Sequence, residues 1–566
     1  MCGIWALLQQ SPILTSQLVN AFNNVQKRGP DSSIIHIDRN YIAGFHRLAI
    51  NDISVNGNQP FYHSNSEYNY VLMANGEIYN HKKLESKYEI HPNSKSDCAV
   101  LLPLFIHLNE DFEELNKELR GEYAILIIKQ HKVTNEISYF VSTDSLSVRP
   151  MFYFINSDNK KIGFSSLLSG LSDLSNNVER LDQGCMCIGT TDLNSYNKFE
   201  IKRYHQIKEN SKIVIMSESD DLINLYKLIV STLVESVILR LESDRQIGCL
   251  LSGGLDSSLI AAIAANELKK RGQKLKTFSI GMDDGTDIKY ARMVAKHIDS
   301  DHTEFNFTAN DGLEAIEHVI KATETYDITT IRASVGQYLI AKNIVEKTDV
   351  KVVLNGDGAD EAQMGYLYFY LHPSIEEAEE ERNKLLQQIH LFDGLRVDRN
   401  ISHHGLEARV PFLDKEFIDL FYKIPSELLV PTTEHMEKFL VRKAFDVIMP
   451  NLLPSEVLWR KKEAFSDGIS SKEKSWYLIV KEHFNNLITD EEFESSKQLD
   501  GFVPLCKESF YYRKRFNELF GQNQRVIPRY WLANWTDSKD PSARTLNVYS
   551  TSTNNLSKNE NEEANI

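Results

Sequence analysis

The hydrophobic pattern of this chain changes character once, near Tyr204–Asp221, and that change limits the folds open to it. Before it, short runs alternate apolar and polar residues between turn signals: NYIAGFHRLAIND, YNYVLMANGEIYN, EYAILIIKQ and ISYFVSTD. A period of two is that of a half-buried strand, so stacked sheets built from hairpins are expected. After it, long helical segments such as LINLYKLIVSTLVESVILRL alternate with short apolar runs. CLL, TFSIGM and KVVLNG each lead into a Gly- or Asp-rich loop. Strands alternating with helices imply a parallel sheet with crossovers. The polar clusters KENSK and SESDD mark the junction. A chain of 566 residues needs more than one core, because domains usually hold roughly 100–200 residues.

A net charge of −16 argues against nonspecific nucleic-acid binding, which needs a basic face. No long apolar run is expected to span a bilayer. The start, MCGIWALLQQ, lacks the basic region and cleavage site of a signal peptide, so a cytoplasmic location is the expectation. The six cysteines include no Cys-x-x-Cys pair, and Cys185 with Cys187 reads as a buried strand feature. EEAEEER, from Glu376 to Arg382, reads as a solvated segment. The tail 550–566 has almost no apolar content and is expected to be disordered.

Cys2 follows the initiator methionine directly. Once Met1 is removed, Cys2 carries a thiol and a free α-amine. With a pKa of roughly 7.7–8.0, that amine can serve as general base for its own side chain. Attack on an amide also needs an oxyanion hole. Asn75 and Gly76, after the apolar run YVLMA, offer a side-chain amide beside a glycine N–H. Arg47 suits the α-carboxylate of an amino acid, and Asp97 its ammonium group.

CGI at the terminus, RGPD (Arg28 to Asp31), HRLAI (His46 to Ile50), NGEIYN (Asn75 to Asn80) and Ser96-Asp97 together resemble the class II glutamine amidotransferases, which are N-terminal-nucleophile hydrolases. The resemblance implies Cys2 as nucleophile and base, with Asn75 and Gly76 as the oxyanion hole. It implies that Arg47, Leu48, Ala49, Ile50, Asn51, Glu77 and Asp97 hold glutamine. It also implies an α/β/β/α sandwich over residues 2–205. One departure is Ser165-Ser166, where the family has Ser-Glu at a place implied to touch the second domain.

IGCLLSGGLDSSLIAAIAANELKK reads strand, Gly-rich turn, helix, with Leu259, Ile260, Ile263, Ala264 and Leu268 on an apolar face. Gly253 and Gly254 let the backbone approach an anion, and the helix start supplies free N–H groups. Ser252, Ser257 and Ser258 add hydroxyl donors. The absence of Gly-Lys-Ser/Thr excludes a Walker-type loop. SGGLDSS resembles the pyrophosphate loop of ATP pyrophosphatases, which bind ATP and form an adenylate. Asp256 within the loop implies a cation, Mg²⁺, beside the phosphates. NGDGADE, after VKVVL, places Asp357, Asp360 and Glu361 at the carboxyl edge of the sheet, with Asp360 the second candidate Mg²⁺ ligand.

ETYDITTIRAS, LRVDRN, HGLEARVPFLD, MEKFLVRKAF, KKEAFSDG, YWLANW and DPSARTL extend the resemblance to the glutamine-hydrolysing asparagine synthetases over residues 2–549. It implies a synthetase domain over 215–549, a parallel-sheet α/β fold with helical additions. Leu251, Ser252, Gly253, Gly254, Asp256, Ser257, Ile280, Asn355 and Gly356 would bind ATP. Thr329, Thr330, Arg332, Asp360, Glu361 and Arg399 would hold aspartate. Arg332, Lys462 and Asp357 would act in catalysis, Lys462 on the phosphates, and Asp357 in place of the family's Glu. The implied reaction turns aspartate, glutamine and ATP into asparagine, glutamate, AMP and pyrophosphate through β-aspartyl-AMP. The implied partners are these small molecules, with no nucleic acid and no membrane; a homodimer is compatible with the resemblance. The competing readings are a relative acting on another carboxylate, or a catalytically silent partner-binding relative.

Overall fold

The computed structural model describes residues 1–156, 160–191, 198–206, 220–282, 285–462, 475–496 and 502–536. The junction residues 207–219, the motif DPSARTL, KKEAFSDG beyond Lys462 and the tail 550–566 lie outside the described residues.

The N-terminal half forms two six-stranded antiparallel sheets, as the period of two predicts. In the first, Gly3–Leu8 pairs with Tyr41–Arg47 on one side and Lys161–Ser165 on the other. The second centres on Tyr68–Ile78, Gly121–His131 and Ile137–Thr143. Alternation sets the layers. Ile4, Ala6 and Leu8 face the second sheet and pack with Val71, Met73, Leu126 and Val141. Trp5 and Leu7 point the other way, onto Ala21 and Phe22 of the helix Ser16–Asn23. The far face of the second sheet buries Leu72 and Ala74 against Leu101, Leu104 and Phe105 of the segment Asp97–His107. Helix, sheet, sheet and helix therefore stack as expected. Cys185 and Cys187 lie buried in the strand Cys185–Thr191.

The C-terminal half holds a five-stranded parallel sheet in the order Asp301–Asn306, Lys276–Gly281, Ile247–Leu250, Val352–Leu354 and Glu407–Arg409. Its next strand in sequence lies to one side of Ile247–Leu250, and Val352–Leu354 lies to the other. That reversal is the switch point at which ligands bind in open parallel sheets. Both SGGLDSS and NGDGADE leave the sheet there.

Two expectations change. Asp221–Leu239 is long and apolar enough by composition to cross a membrane, contrary to the sequence reading. One face of it packs into this fold: Leu225, Ile229, Leu233 and Val237 are buried, and it lies against Phe439–Ile448. EEAEEER is not solvated throughout. It lies in the helix Ile375–Gln387, whose Ala378, Glu381 and Arg382 are buried. Arg382 donates to the Phe421 carbonyl at 3.2 Å and stacks over Tyr422, and Tyr368 donates to Glu381 at 3.1 Å.

Candidate active sites

Cys2 stands at the head of the central strand Gly3–Leu8, so its position is fixed by pairing on both sides. Its N–H donates to Asn75 Oδ1 at 2.8 Å, and Arg28 Nε donates to its carbonyl at 2.9 Å. Burial pushes the thiol above its ordinary range, and the charge of the Met1 ammonium opposes this. Asn75 and Gly76 are not a hairpin turn. They continue the strand Tyr68–Ile78, opposite Ala124 and Tyr123. This register turns the Asn75 oxygen to Cys2 and leaves Asn75 Nδ2 buried without a partner. An unpaired amide donor beside a thiol is the part an oxyanion hole needs. Gly76 has φ +139°, and a Cβ there would come within 1.9 Å of the Glu122 carbonyl, so only glycine fits.

Around this corner Asn51 Nδ2 donates to Glu77 Oε2 at 2.7 Å and to Asp97 Oδ1 at 3.3 Å. Asp97 Oδ2 accepts the Ile78 N–H at 2.7 Å. Burial raises both carboxyls, that of Glu77 well above its usual range despite Arg409. An acceptor-rich pocket of this kind suits an ammonium group. Arg47 spends its guanidinium on the loop it bounds: Nη1 donates to the Ser54 carbonyl at 2.8 Å and to Asn58 Oδ1 at 2.7 Å, and Nη2 to the Asp52 carbonyl.

The second site is a cavity at the switch point. Leu251, Ser252, Gly254, Asp256, Ser257, Ile280, Asn355 and Gly356 line it. Gly253 has φ +77°, and a Cβ there would meet Ala291 N at 2.4 Å; the loop can turn only as glycine. Its carbonyl accepts from Arg460 at 3.0 Å. The helix Leu255–Lys270 then starts with its first N–H groups at the cavity, and Ser252 and Ser257 hydroxyls meet at 2.9 Å.

Charges close this site. Lys438 Nζ lies 2.5 Å from Asp256 Oδ2 and 2.6 Å from Asp360 Oδ1, and Lys462 Nζ lies 2.6 Å from Asp360 Oδ2. Burial alone would raise the Asp360 carboxyl, yet the two lysines hold it below the usual carboxylate range. Asp256 Oδ1 is buried without a hydrogen-bond partner. Carboxylate oxygens beside a phosphate loop are of the type a hard divalent cation prefers, although Asp360 is here paired with both lysines. Asp357 also lines the cavity. Its carboxylate takes hydrogen bonds from Arg396 and from Gln337 Nε2 (2.9 Å), and burial raises it against the pull of Arg396. Arg396 pairs in addition with Asp393 at 2.6 Å. Glu361 accepts from Tyr366 at 2.6 Å, and burial raises its carboxyl well above the ordinary value.

Residues 1–220 match the family described as Glutamine amidotransferase domain, and residues 228–390 and 376–540 match that described as Asparagine synthase. The chain is 38% identical over 570 residues to the glutamine-hydrolysing asparagine synthetase of Gallus gallus, covering 97% of this chain and 99% of that protein. It is 38% identical over 575 residues to that of Homo sapiens, with 97% and 99% covered. It is also 38% identical over 567 residues to the probable asparagine synthetase of Acanthamoeba polyphaga mimivirus, with 97% and 100% covered. The chain belongs to the asparagine synthetase family.

In this member of the asparagine synthetase family, the residues that the resemblance implies for aspartate are not all brought to this cavity. Asp360 and Glu361 line the cavity, whereas Thr329, Thr330, Arg332 and Arg399 are not among its lining residues. Thr330 donates its N–H and its hydroxyl to Asp327, the N-cap of its own helix, each at 2.8 Å; Thr329 donates to the Trp531 carbonyl at 3.1 Å, and Arg332 is paired with Glu508 at 2.5 Å. Arg399 turns to the other half of the molecule and donates to the Ser166 carbonyl at 2.9 Å. Position 166 does therefore touch the second half, through its backbone.

Sequence reasoning missed Lys438, Arg396, Gln337 and Asp393. Arg396 and Lys438 stand inside the quoted motifs LRVDRN and MEKFLVRKAF, but two arginines three apart on one helix cannot be told apart by pattern. It also missed two buried ionic clusters that tie the two halves of the chain together. Arg28 grips Asp398 at 2.7 and 3.0 Å, Arg149 reaches the same carboxylate at 3.2 Å, and Arg409 joins Glu407 (2.8 Å) to Glu77 (3.1 Å).

Proposed function

We propose that this chain makes asparagine from aspartate, with glutamine as nitrogen donor and ATP as activating substrate. The observation that carries this reading is the meeting of the two loops at the switch point. A Cβ on Gly356 would lie 2.8 Å from Ser257 N, so NGDGADE closes directly over SGGLDSS and sets carboxylates and lysines beside the phosphate loop.

In this reading residues 2–205 are the glutaminase unit and residues 215–549 the synthetase unit. Met1 is removed, and the freed amine of Cys2 takes the thiol proton. The sulfur attacks the glutamine amide carbon, Asn75 Nδ2 and the Gly76 N–H receive the oxyanion, and the Cys2 ammonium returns the proton to the amide nitrogen as the C–N bond breaks and ammonia leaves. Water then cleaves the thioester to glutamate. Asn51, Glu77 and Asp97 hold the amino-acid end of glutamine, and Arg47 keeps their loop in shape. In the synthetase unit Leu251 and Ile280 flank the base. Ser252, Gly253, Gly254, Ser257, Asn355 and Gly356 hold the phosphates. An aspartate β-carboxylate oxygen bonds to the α-phosphorus as the bond to pyrophosphate breaks. Ammonia next attacks the acyl carbon, loses a proton, and AMP departs. Lys462 and Lys438 stabilise the charge that develops on the phosphates. Asp256 and Asp360 would hold Mg²⁺, which supplies further neutralisation of that charge.

The described cysteines are all free thiols, which supports a cytoplasmic location. The test is product identification from aspartate, glutamine and ATP, with AMP and pyrophosphate measured. Asparagine in step with AMP is the expected result; an amide of another acid, with none from aspartate, would sink this reading in favour of a different acceptor. Asp357→Asn tests the acidic loop: pyrophosphate exchange into ATP is expected to fall about 10²–10⁴-fold. Unchanged exchange would leave Asp357 as a partner of Arg396 only.

A further inference from the structure

The loop from Leu48 to Asp52, the proposed seat of glutamine, is not held by its own half of the molecule alone. The segment just before the parallel strand Ile247–Leu250 reaches across and binds it. The Asp52 N–H donates to Asp244 Oδ2 at 2.8 Å, and the Asp244 N–H donates back to the Ile50 carbonyl at 3.2 Å. Arg245 Nε donates to the Ala49 carbonyl at 2.9 Å. Its guanidinium also lies 4.0 Å from Asp31 Oδ2, the oxygen that accepts the Ala49 N–H at 2.8 Å. Beneath these bonds Leu48 and Ile50 pack on Val352, with Ile247 against the same cluster.

Asp52 sits in this grip with φ +52°, a conformation few side chains adopt. Aspartate tolerates it better than most residues, but it persists only where surroundings fix it on several sides. Here its N–H is taken by Asp244, its carbonyl by Arg47, and its carboxylate by Ser94 Oγ and the Lys95 N–H at 2.7 and 2.9 Å. The next residue back, Asn51, is the one whose amide joins Glu77 to Asp97. A shift of Asp244 therefore moves Asn51.

The covalent path from the same segment is short. Asp244 and Arg245 lead through Ile247–Leu250 straight into Leu251 and Ser252 of the nucleotide loop. Val352, which receives Leu48 and Ile50, begins the strand that ends at Leu354, directly before Asn355 and the acidic loop. Both walls of the nucleotide cavity are thus rooted under the glutamine loop.

We propose that Asp244 and Arg245 are positioning residues that set the geometry of the glutamine loop and make it answer to occupancy of the nucleotide cavity. The inference rests on the reading of Leu48–Asp52 as the glutamine seat. It makes no claim on the chemistry at Cys2.

The test is steady-state kinetics on the full chain carrying Arg245→Ala, Asp244→Ala or Arg245→Lys, with glutamine hydrolysis followed as glutamate, with and without saturating ATP and aspartate. Displacing a substrate-holding loop typically weakens its use by about ten- to hundredfold. We expect that rise in KM for glutamine in both alanine variants, with a smaller change in kcat. Ammonia-dependent synthesis is expected to stay within about twofold, as for substitutions away from a site. ATP with aspartate is expected to lower KM for glutamine in the unaltered chain and not in the alanine variants. Arg245→Lys keeps a donor for the Ala49 carbonyl and is expected to recover part of the loss. An unchanged KM in both alanine variants overturns the proposal. So does equal loss of glutamine- and ammonia-dependent activity, which marks a merely structural contact. Asn51→Ala separates this from failure of the underlying reading: an unchanged KM there means that glutamine sits elsewhere.

Discussion

The two sites are built on opposite principles. At Cys2 the parts are set by strand register. The nucleophile heads a central strand, Asn75 and Gly76 sit in a facing strand, and one donor is left over for a charge that appears only during reaction. At the switch point the parts stand on loops and on the first turns of the helices Leu255–Lys270 and Ala359–Gln363, and they are held by attraction between Asp256, Asp360, Lys438 and Lys462. A register cannot drift by less than a residue, so the first site is stiff. A salt-bridged loop cluster can exchange partners when phosphates and a cation arrive, so the second is able to reorganise.

The largest expected effect is from Cys2→Ala. Loss of a nucleophile removes about 10⁴-fold or more of a covalent reaction, so glutamine-dependent synthesis should vanish. Ammonia-dependent synthesis should persist, because the charged site shares no catalytic atom with Cys2. Loss of both in a folded variant would break the comparison.

Lys438→Met comes next. It leaves Asp256 and Asp360 buried without their shared cation, and aspartate-dependent pyrophosphate exchange should fall on the order of 10³-fold. Glutamine hydrolysis measured on the same sample should continue. Normal exchange would show that the lysine bridge is packing, not machinery.

Asn75→Ala sharpens the other side. Removing one oxyanion donor lowers kcat by about 10²–10³-fold, and KM for glutamine should change little. A change confined to KM would mean that Asn75 binds ground-state glutamine instead.

The smallest effect concerns pH. Burial would raise the Asp398 carboxyl, but Arg28 and Arg149 hold it at about 2. A depressed carboxylate stabilises the fold fully above its ordinary value near 4, and that contribution disappears as pH falls through 2. The shift is worth about 2 kcal/mol. Denaturant midpoints measured from pH 5 down to 2 should show this loss, and Asp398→Asn should lack that component. An identical acid profile in the variant would assign the loss to other groups.

Much of the fold was legible because its signals are local. The alternating runs before Tyr204 pointed to the stacked sheets, and the strand–loop–helix of SGGLDSS needed no tertiary information. What failed is what depends on direction. Pattern cannot say that the strand Tyr68–Ile78 runs on through Asn75-Gly76, since the same dipeptide also makes turns. It cannot say that Arg396 faces the cavity while Arg399 reaches Ser166. Nor does a lysine in MEKFLVRKAF announce a left-handed φ of 58° and two carboxylate partners. Glu381 and Arg382 misled for the reverse reason: a charge run looks solvated until partners from distant segments are known.

Met1 is 1% exposed, and its ammonium lies 3.7 Å from Glu407, under the second half of the molecule. Processing enzymes act on protruding ends, so a folded chain that still carries Met1 offers them nothing to grip. If Met1 is removed as proposed, trimming has to happen while the N-terminus is emerging from the ribosome, before the strand Gly3–Leu8 is enclosed. Activation becomes a race between an aminopeptidase and collapse, and a chain that loses it stays without its base for life. Slow expression or excess aminopeptidase should raise the active fraction. Treating the folded precursor with the same enzyme should not, whereas treating it unfolded and then refolding should. Activation of the folded precursor by the aminopeptidase would show that the terminus opens on its own.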